Sequence, residues 1–158
     1  MEKCHYLSPV GCLEIGAVDN KITQLIFCRK PDIVENANNP ALQQCCKELD
    51  EYFAGIRKDF DVPIAFSGTA FQQQVWQELL KIPYGKTISY ADLAKASGNP
   101  KAYRAAGTAN GKNPIAIIIP CHRVIASNGG LGGYAYGVEV KKQLLELEKH
   151  NNYYNFVP

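Results

Sequence analysis

Residues 120–124 read PCHRV and set a thiol beside an imidazole, directly after the five apolar residues IAIII. A cysteine acts as nucleophile or metal ligand only as thiolate, and a neighbouring base or cation favours that form. Cys121 therefore has three readings from its neighbourhood: reactive group, metal ligand or small apolar filler. His122 and Arg123 follow it, but adjacency in sequence does not bring their side chains onto the sulfur. A third group comes from VKKQLLELEKH, where Val140, Leu144 and Leu147 recur at helical spacing and Glu148 falls four residues after Leu144. A carboxylate on the edge of a buried stripe needs a partner, and His122 is a candidate. Cys121, His122 and Glu148 would then be nucleophile, base and orienter. The competing reading leaves Glu148 as a solvated charge near a helix end.

The metal reading fails on ligand count. A structural zinc takes four ligands, usually in paired spacings. No CxxC occurs; Cys4-His5 and Cys121-His122 are unmatched pairs, and Cys45-Cys46 are neighbours. A cysteine hydrolase would use the same three residue types. Its usual sequence surroundings are missing, and it would leave a basic helical pair upstream unexplained.

The elements that must position these groups are legible in outline. IAIII reads as a buried strand ended by Pro120, which puts Cys121 at its mouth. Thr69 and Gln72 form a capping box ahead of FQQQVWQELLKI, in which Phe71, Val75 and Leu79 recur every four residues, and Pro83-Tyr84-Gly85 stops that helix. Ser89 and Asp92 repeat the capping pattern before YADLAKAS. Gly98-Asn99-Pro100 then turns the chain, with Pro100 expected at the first position of the helix PKAYRAAGTAN. Two short helices joined by a turn containing glycine make a helix-turn-helix pattern, which alone leaves DNA reading and plain packing equally open. The second helix offers Ala102, Ala105, Ala106, Gly107 and Ala109, with Arg104 as its one long cation. Such a smooth surface suits close approach to a minor groove read by shape rather than by base edges.

The first 66 residues form a mixed unit. CLEIGAVDNKITQLIFC reads as a hairpin turning at Asp19-Asn20. PALQQCCKELDEYFAGI reads as a helix with Leu42, Cys45, Leu49, Tyr52 and Ile56 on one face, Cys45 being a core residue, and DVPIAF as a short strand. With 158 residues the chain holds one ordinary domain or two small ones, and a boundary is expected at Ser67-Gly68-Thr69. The 46% hydrophobic and 20% charged content is that of a soluble globular protein, and no apolar run is long enough to span a membrane. Six cysteines without a signal-peptide core in MEKCHYLSPVG point to reduced thiols in the cytoplasm. Charge is uneven: residues 1–67 carry 7 basic and 10 acidic side chains, residues 68–158 carry 10 basic and 5 acidic. The second part is thus the candidate for a polyanionic partner.

Across these motifs the chain resembles the O6-alkylguanine-DNA alkyltransferases, also called methylated-DNA–protein-cysteine methyltransferases. The resemblance runs through GTAFQQQVWQELLKIPYGKTISYADLA, GNPKAYRAAGTANGKNP, IPCHRV and GGYAYGVEVKKQLLELE, nearly all of residues 68–148, and more loosely through SPVGCLEI. It implies an α+β fold. A small N-terminal mixed α/β (ribonuclease H-like) accessory domain would span residues 1–67. A mostly helical domain with the helix-turn-helix, binding DNA and accepting the alkyl group, would span residues 68–158. The implied reaction is a single displacement: thiolate attacks the alkyl carbon on guanine O6, or on thymine O4, and keeps the alkyl group, so each molecule acts once. The target base must leave the stack. The implied partner is double-stranded DNA containing O6-alkylguanine, bound through its minor groove by a monomer, with no cofactor, metal or membrane.

The resemblance also assigns roles by position. Cys121 is the acceptor, His122 takes its proton through a water, and Glu148 orients His122. Asn113 braces the turn near the site. Tyr90 crowds the target phosphate and donates a proton to the purine ring. Arg104 enters the duplex in place of the flipped base, on a DNA-facing helix that also presents Ala102, Ala105, Thr108 and Asn110. Val124, Tyr134, Ala135 and Tyr136 line the base pocket, with the Cys121 and Val124 carbonyls accepting from the exocyclic amine and the Ala135 N–H addressing O6. Thr108 and Asn110 depart from residues that are often glycine and apolar in relatives. Tyr136 stands where several relatives carry glycine, which implies a narrowed pocket that disfavours bulky adducts. A lesion sensor would lack the acceptor cysteine, and a methyl-triggered regulator would carry a further zinc-binding domain, so neither alternative fits as well.

Overall fold

Asp19 and Asn20 hold φ angles of 51° and 63°, left-handed values that short polar side chains tolerate. They join β2 (Gly11–Val18) to β3 (Lys21–Phe27) in an antiparallel hairpin running from Leu13 opposite Phe27 to Val18 opposite Lys21. The computed structural model describes residues 1–29 and 38–154, with side chains through Asn151. A strand that the sequence reading did not place, β1 (Glu2–Ser8), pairs antiparallel on the other side of β2, giving the order β1-β2-β3. Leu13, Ile15, Ala17, Ile22 and Leu25 are buried from this sheet. The helix α1 (Pro40–Phe53) packs on it through Leu42, Cys45, Leu49 and Tyr52, each buried and each contributing about 1.5–3 kcal/mol for the larger apolar side chains. Asn39 caps that helix, its Oδ1 accepting from the amides of Ala41 (2.9 Å) and Leu42 (3.2 Å).

DVPIAF is not a strand. Ile64 makes one isolated parallel bridge to Ile22, and the backbone around it is instead tied down by Glu48. That buried carboxylate accepts from the amides of Asp61 (2.7 Å) and Val62 (3.1 Å), so the segment starts on a side-chain anchor, and its pairing is limited to Ile22 N donating to Pro63 O (2.8 Å) and Ala65 N to Ile22 O (2.9 Å).

Residues Met1–Phe66 with Pro114–Ala116 make one compact unit, and Ser67–Asn113 with Ile117–Pro158 make the other. In the second, the Thr69–Gln72 capping box opens α2 (Ala70–Leu80), which buries Val75, Trp76 and Leu79. Trp76 Nε1 donates to the Ala109 carbonyl at 2.9 Å, fixing α2 on α4 (Tyr103–Gly111). The Ser89–Asp92 box opens α3 (Tyr90–Ala96), immediately after β4 (Ile88–Ser89). α3 and α4 pack together as the helix pair read from the sequence.

Two local expectations are corrected. The helix after Pro100 begins only at Tyr103. Asn99 takes the nearby amides for itself, its Oδ1 accepting from Lys101 N (3.1 Å) and its carbonyl from Ala102 N (3.0 Å), so a turn precedes the helix. The run Ile115–Ile119 is buried throughout, as its composition demands, but it is not a strand. It pairs once, where Leu25 N donates to Pro114 O (2.9 Å) and Ala116 N to Leu25 O (2.8 Å). Ile117 then adopts φ 71° and breaks the extended path. The chain continues through a single 3₁₀ turn, Cys121–Arg123, into β5 (Val124–Ile125), parallel to β4, and ends in α5 (Val138–Tyr154). The fold is α+β.

Candidate active site

A β-branched residue at positive φ is a steric outlier that costs on the order of 1–3 kcal/mol and persists only where its surroundings hold it. Here two asparagines do so. Asn113 Nδ2 donates to the Ile119 carbonyl at 2.6 Å, and Asn110 Nδ2 to the Cys121 carbonyl at 3.3 Å, clamping the turn on both sides of the cysteine. Cys121 is 4% exposed, and its sulfur faces a cavity of about 190 Å³. Tyr90, Gly107, Asn110, Gly111, Asn113, Gly133, Tyr134, Ala135 and Tyr136 complete the lining. Burial pushes the Cys121 thiol up, and hydrogen bonds from Asn113 and Tyr134 with the charge of Lys141 only partly oppose it. At neutral pH the group rests as a thiol, so any attack by sulfur needs a base.

Behind the thiol lies a closed polar cluster. His122 Nε2 meets Glu148 Oε2 at 2.6 Å, with both side chains fully buried. Arg123 donates to the same carboxylate twice, Nε to Oε1 at 2.7 Å and Nη2 to Oε2 at 3.1 Å, and its Nη1 donates to the Ile82 carbonyl at 2.7 Å. The Gly85 amide reaches Glu148 Oε1 at 3.3 Å. Burial alone would raise the Glu148 carboxyl, but His122 and Arg123 hold it well below the usual carboxylate range. The other imidazole nitrogen, His122 Nδ1, is buried with no hydrogen-bond partner in the protein. Glu148 is therefore a buried anion bridging imidazole and guanidinium, not a solvated helix-end charge.

The remaining predicted residues fall into two groups. Tyr90, Tyr134 and Tyr136 are half-buried around the cavity; Tyr90 Oη donates to the Gly133 carbonyl at 3.3 Å, and the Tyr134 and Tyr136 rings meet edge-on at 5.6 Å. Burial, with the nearby Cys121, raises the Tyr90 phenol and pushes Tyr136 up to about 12, so both hold their protons at neutral pH. Ala135 is exposed and Val124 fully buried. On α4 and its cap, Arg104, Ala105 and Thr108 are exposed and Ala102 half-buried, with Thr108 Oγ1 bonded back to the Arg104 carbonyl at 3.0 Å. Asn110 does not share that outward face: it is 4% exposed, its amide spent on the Cys121 carbonyl. Helical spacing explains this correction, because Asn110 follows Ala106 by four residues and lies on the same inward stripe.

Two residues escaped the sequence reading. Arg123 was visible only as a neighbour of His122. Lys141 is fully buried, and its spacing from Leu144 and Glu148 puts it on the inward stripe of α5, whereas Val140 and Leu147 are half-buried. Among the described residues, no group of three or more His, Cys, Asp or Glu side chains could hold a metal ion, and no helix is long and apolar enough to cross a membrane.

Fold and site together define an α+β protein whose helical unit presents one buried cysteine, backed by a His–Glu–Arg cluster, to a cavity beside a helix pair. Residues 70–150 match the family model described as the DNA-binding domain of 6-O-methylguanine DNA methyltransferase, and residues 3–66 match its ribonuclease-like domain. The chain belongs to this family. It is 44% identical over 146 residues to the methylated-DNA–protein-cysteine methyltransferase of Methanosarcina acetivorans, covering 89% of this chain and 94% of the relative. It is also 44% identical over 151 residues to the constitutive enzyme of that name from Bacillus subtilis, covering 90% and 92%. Among solved structures, the Mycobacterium tuberculosis OGT in complex with DNA superposes with a TM-score of 0.87 at 42% identity, over 96% of this chain and 94% of that one.

Proposed function

We propose that this chain repairs DNA by direct reversal, moving the methyl or other alkyl group of O6-alkylguanine, and of O4-methylthymine, onto Cys121. Residues 68–158 form the DNA-binding and acceptor domain, and residues 1–67 an accessory domain. The sulfur–carbon bond forms as the carbon–oxygen bond breaks, and the bonding pair leaves on the purine, which takes up a proton. His122 accepts the thiol proton through a water at Nδ1, the ring nitrogen left over from its bond to Glu148. Glu148 and Arg123 hold the ring in that orientation. Tyr90 keeps its proton at neutral pH and faces the cavity, so it is placed to donate to the ring as charge develops there. The base must be rotated out of the duplex to reach the cavity, and Arg104 on the exposed face of α4 fills the gap. The minor groove is the surface that this small-residue face suits. The protein acts as a monomer in the cytoplasm, without cofactor.

The observation that carries this reading is the single buried thiol on the cavity floor with the sealed His122–Glu148 pair behind it. Nothing in that arrangement would release a group once it is bound to sulfur. With excess duplex carrying O6-methylguanine, transfer stops at one methyl per protein, and Cys121→Ala transfers none. Continued turnover would refute the reading.

A further inference from the structure

The β2–β3 hairpin carries a cysteine at each open end, and alkyl transfer uses neither. Leu13 pairs with Phe27, so the next step of that register sets Cys12 opposite Cys28, and Cys28 N donates to the Cys12 carbonyl at 2.9 Å. Directly opposite residues of an antiparallel pair hold their Cα atoms about 4.5–5.5 Å apart, inside the span that a disulfide requires. Alternation along β2 turns Cys12 to the face opposite the buried Leu13 and Ile15. There the Cys28 S–H donates to the Cys12 sulfur at 3.0 Å. Both thiols are reduced and half-buried, within reach of a small oxidant. The other cysteines are placed differently. Cys45 is fully buried, and burial pushes its thiol far up. Cys4 and Cys46 stand 3.9 Å apart between β1 and α1, with Cys4 buried, and the bond to Cys4 together with burial pushes the Cys46 thiol far up as well. Among the described residues, no second cysteine lines the Cys121 cavity.

We propose that Cys12 and Cys28 are a dithiol site for hydroperoxides, oxidised to a disulfide across the hairpin while Cys121 stays a thiol. The Cys12 sulfur attacks a peroxide oxygen, the O–O bond breaks, and water or an alcohol leaves, giving a sulfenic acid on Cys12. The Cys28 sulfur then attacks the Cys12 sulfur. The S–S bond forms as the S–O bond breaks, and the hydroxyl leaves with the Cys28 proton as water. Two thiols thus lose two electrons and two protons, and one hydroperoxide takes them up. Burial and the bond to Cys12 push the Cys28 thiol up to about 11, so Cys28 rests protonated and acts second, as the resolving sulfur. The two sulfurs already touch, so closure is intramolecular and outruns further oxidation of the sulfenic acid. Glutathione returns the pair to the dithiol by thiol–disulfide exchange. The site lies in the first unit and stands whether or not Cys121 accepts an alkyl group.

The test uses the full chain, reduced, freed of reductant and treated with one equivalent of hydrogen peroxide. Remaining thiols are then alkylated with iodoacetamide in denaturant, and the protein is digested without reduction for peptide masses. The peptides bearing Cys12 and Cys28 are expected as one linked species, lighter by two hydrogens, which reduced glutathione separates again. Cys4, Cys46 and Cys121 should be recovered alkylated, with Cys121 losing thiol roughly 10-fold more slowly than the pair, because exposure governs which thiol meets the oxidant. Cys28→Ser removes the resolving sulfur and should leave a sulfenic acid on Cys12, captured by dimedone, whereas Cys12→Ser should show no adduct on Cys28. Neither side chain belongs to the buried core, and thermal unfolding checks each variant; the linked peptide of the native chain decides the proposal even where a variant fails to fold. Recovery of Cys12 and Cys28 as alkylated peptides after peroxide overturns the proposal. So does a Cys4–Cys46 link that forms first, oxidation of Cys121 ahead of the pair, a link between two copies of the chain, or a dimedone adduct confined to Cys28.

Discussion

Glu148→Gln removes one negative charge from the most enclosed polar cluster in the protein. Gln keeps the shape and one acceptor, but leaves the Arg123 guanidinium, 6% exposed, without an anion. Breaking a buried pair by removing one partner costs about 3–5 kcal/mol, because the stranded charge stays desolvated. At about 2–4 °C per kcal/mol for a chain of this size, the midpoint should fall by roughly 6–20 °C. Denaturant unfolding at pH 7 followed by circular dichroism measures the loss directly. The pH dependence has a definite sign. The folded carboxyl is held below its unfolded value of about 4.3, so its stabilisation is complete above that pH and is lost as pH falls toward the folded value. The native protein's advantage over Glu148→Gln should therefore be full at pH 7 and shrink below about pH 4. Adding Arg123→Met to Glu148→Gln removes the stranded charge and should recover part of the loss. A Glu148→Gln protein within about 1 kcal/mol of native, or no recovery in the double variant, would refute the bridging anion.

Transfer from duplex should fall about 10²–10⁴-fold in Glu148→Gln, the usual contribution of a positioned base, in a single-turnover assay on the folded fraction. Tyr136→Gly should open the cavity wall and raise the rate with O6-benzylguanine relative to O6-methylguanine; equal rates for both adducts in the native protein would discount Tyr136 as a narrowing residue. Gly132 has φ 71°, and a Cβ there would lie 2.9 Å from Tyr90 Cε2, so Gly132→Ala should cost about 1–2 kcal/mol and slow transfer by displacing the phenol. Arg104→Ala should slow transfer from duplex by roughly 10- to 100-fold, the scale of a few kcal/mol of base-flipping energy, and leave acceptance from the free base intact. Equal losses with both substrates would remove Arg104 from the flipping step.

Local chemistry in this chain was readable wherever a few neighbouring residues decide the outcome. The two capping boxes, Thr69–Gln72 and Ser89–Asp92, start helices where their spacing says they should, and Asp19-Asn20 turns the hairpin. The spacing of Glu148 after Leu144 allowed an inward place but left a solvated helix-end charge open, and the side chain is in fact buried with His122 among its partners. What stayed hidden depends on distant backbone. Ile115–Ile119 has the composition of a strand, but burial without a continuous pairing edge and the left-handed Ile117 make it a clamped irregular segment. Asn99 outcompeted Pro100 for the start of α4 through an amide bond that composition does not announce. Lys141 drew no reading and Arg123 stood out only as a neighbour of His122, because their acceptors, two carbonyls and a carboxylate, belong to other elements.

The most direct test of the central claim is the mass of one peptide. After incubation with duplex containing O6-methylguanine, the peptide bearing Cys121 should gain the mass of one methyl group replacing hydrogen, in proportion to guanine restored. The same peptide from Cys121→Ala protein should gain nothing. Methyl on one of the other five cysteines, or restored guanine in excess of protein, would contradict the account.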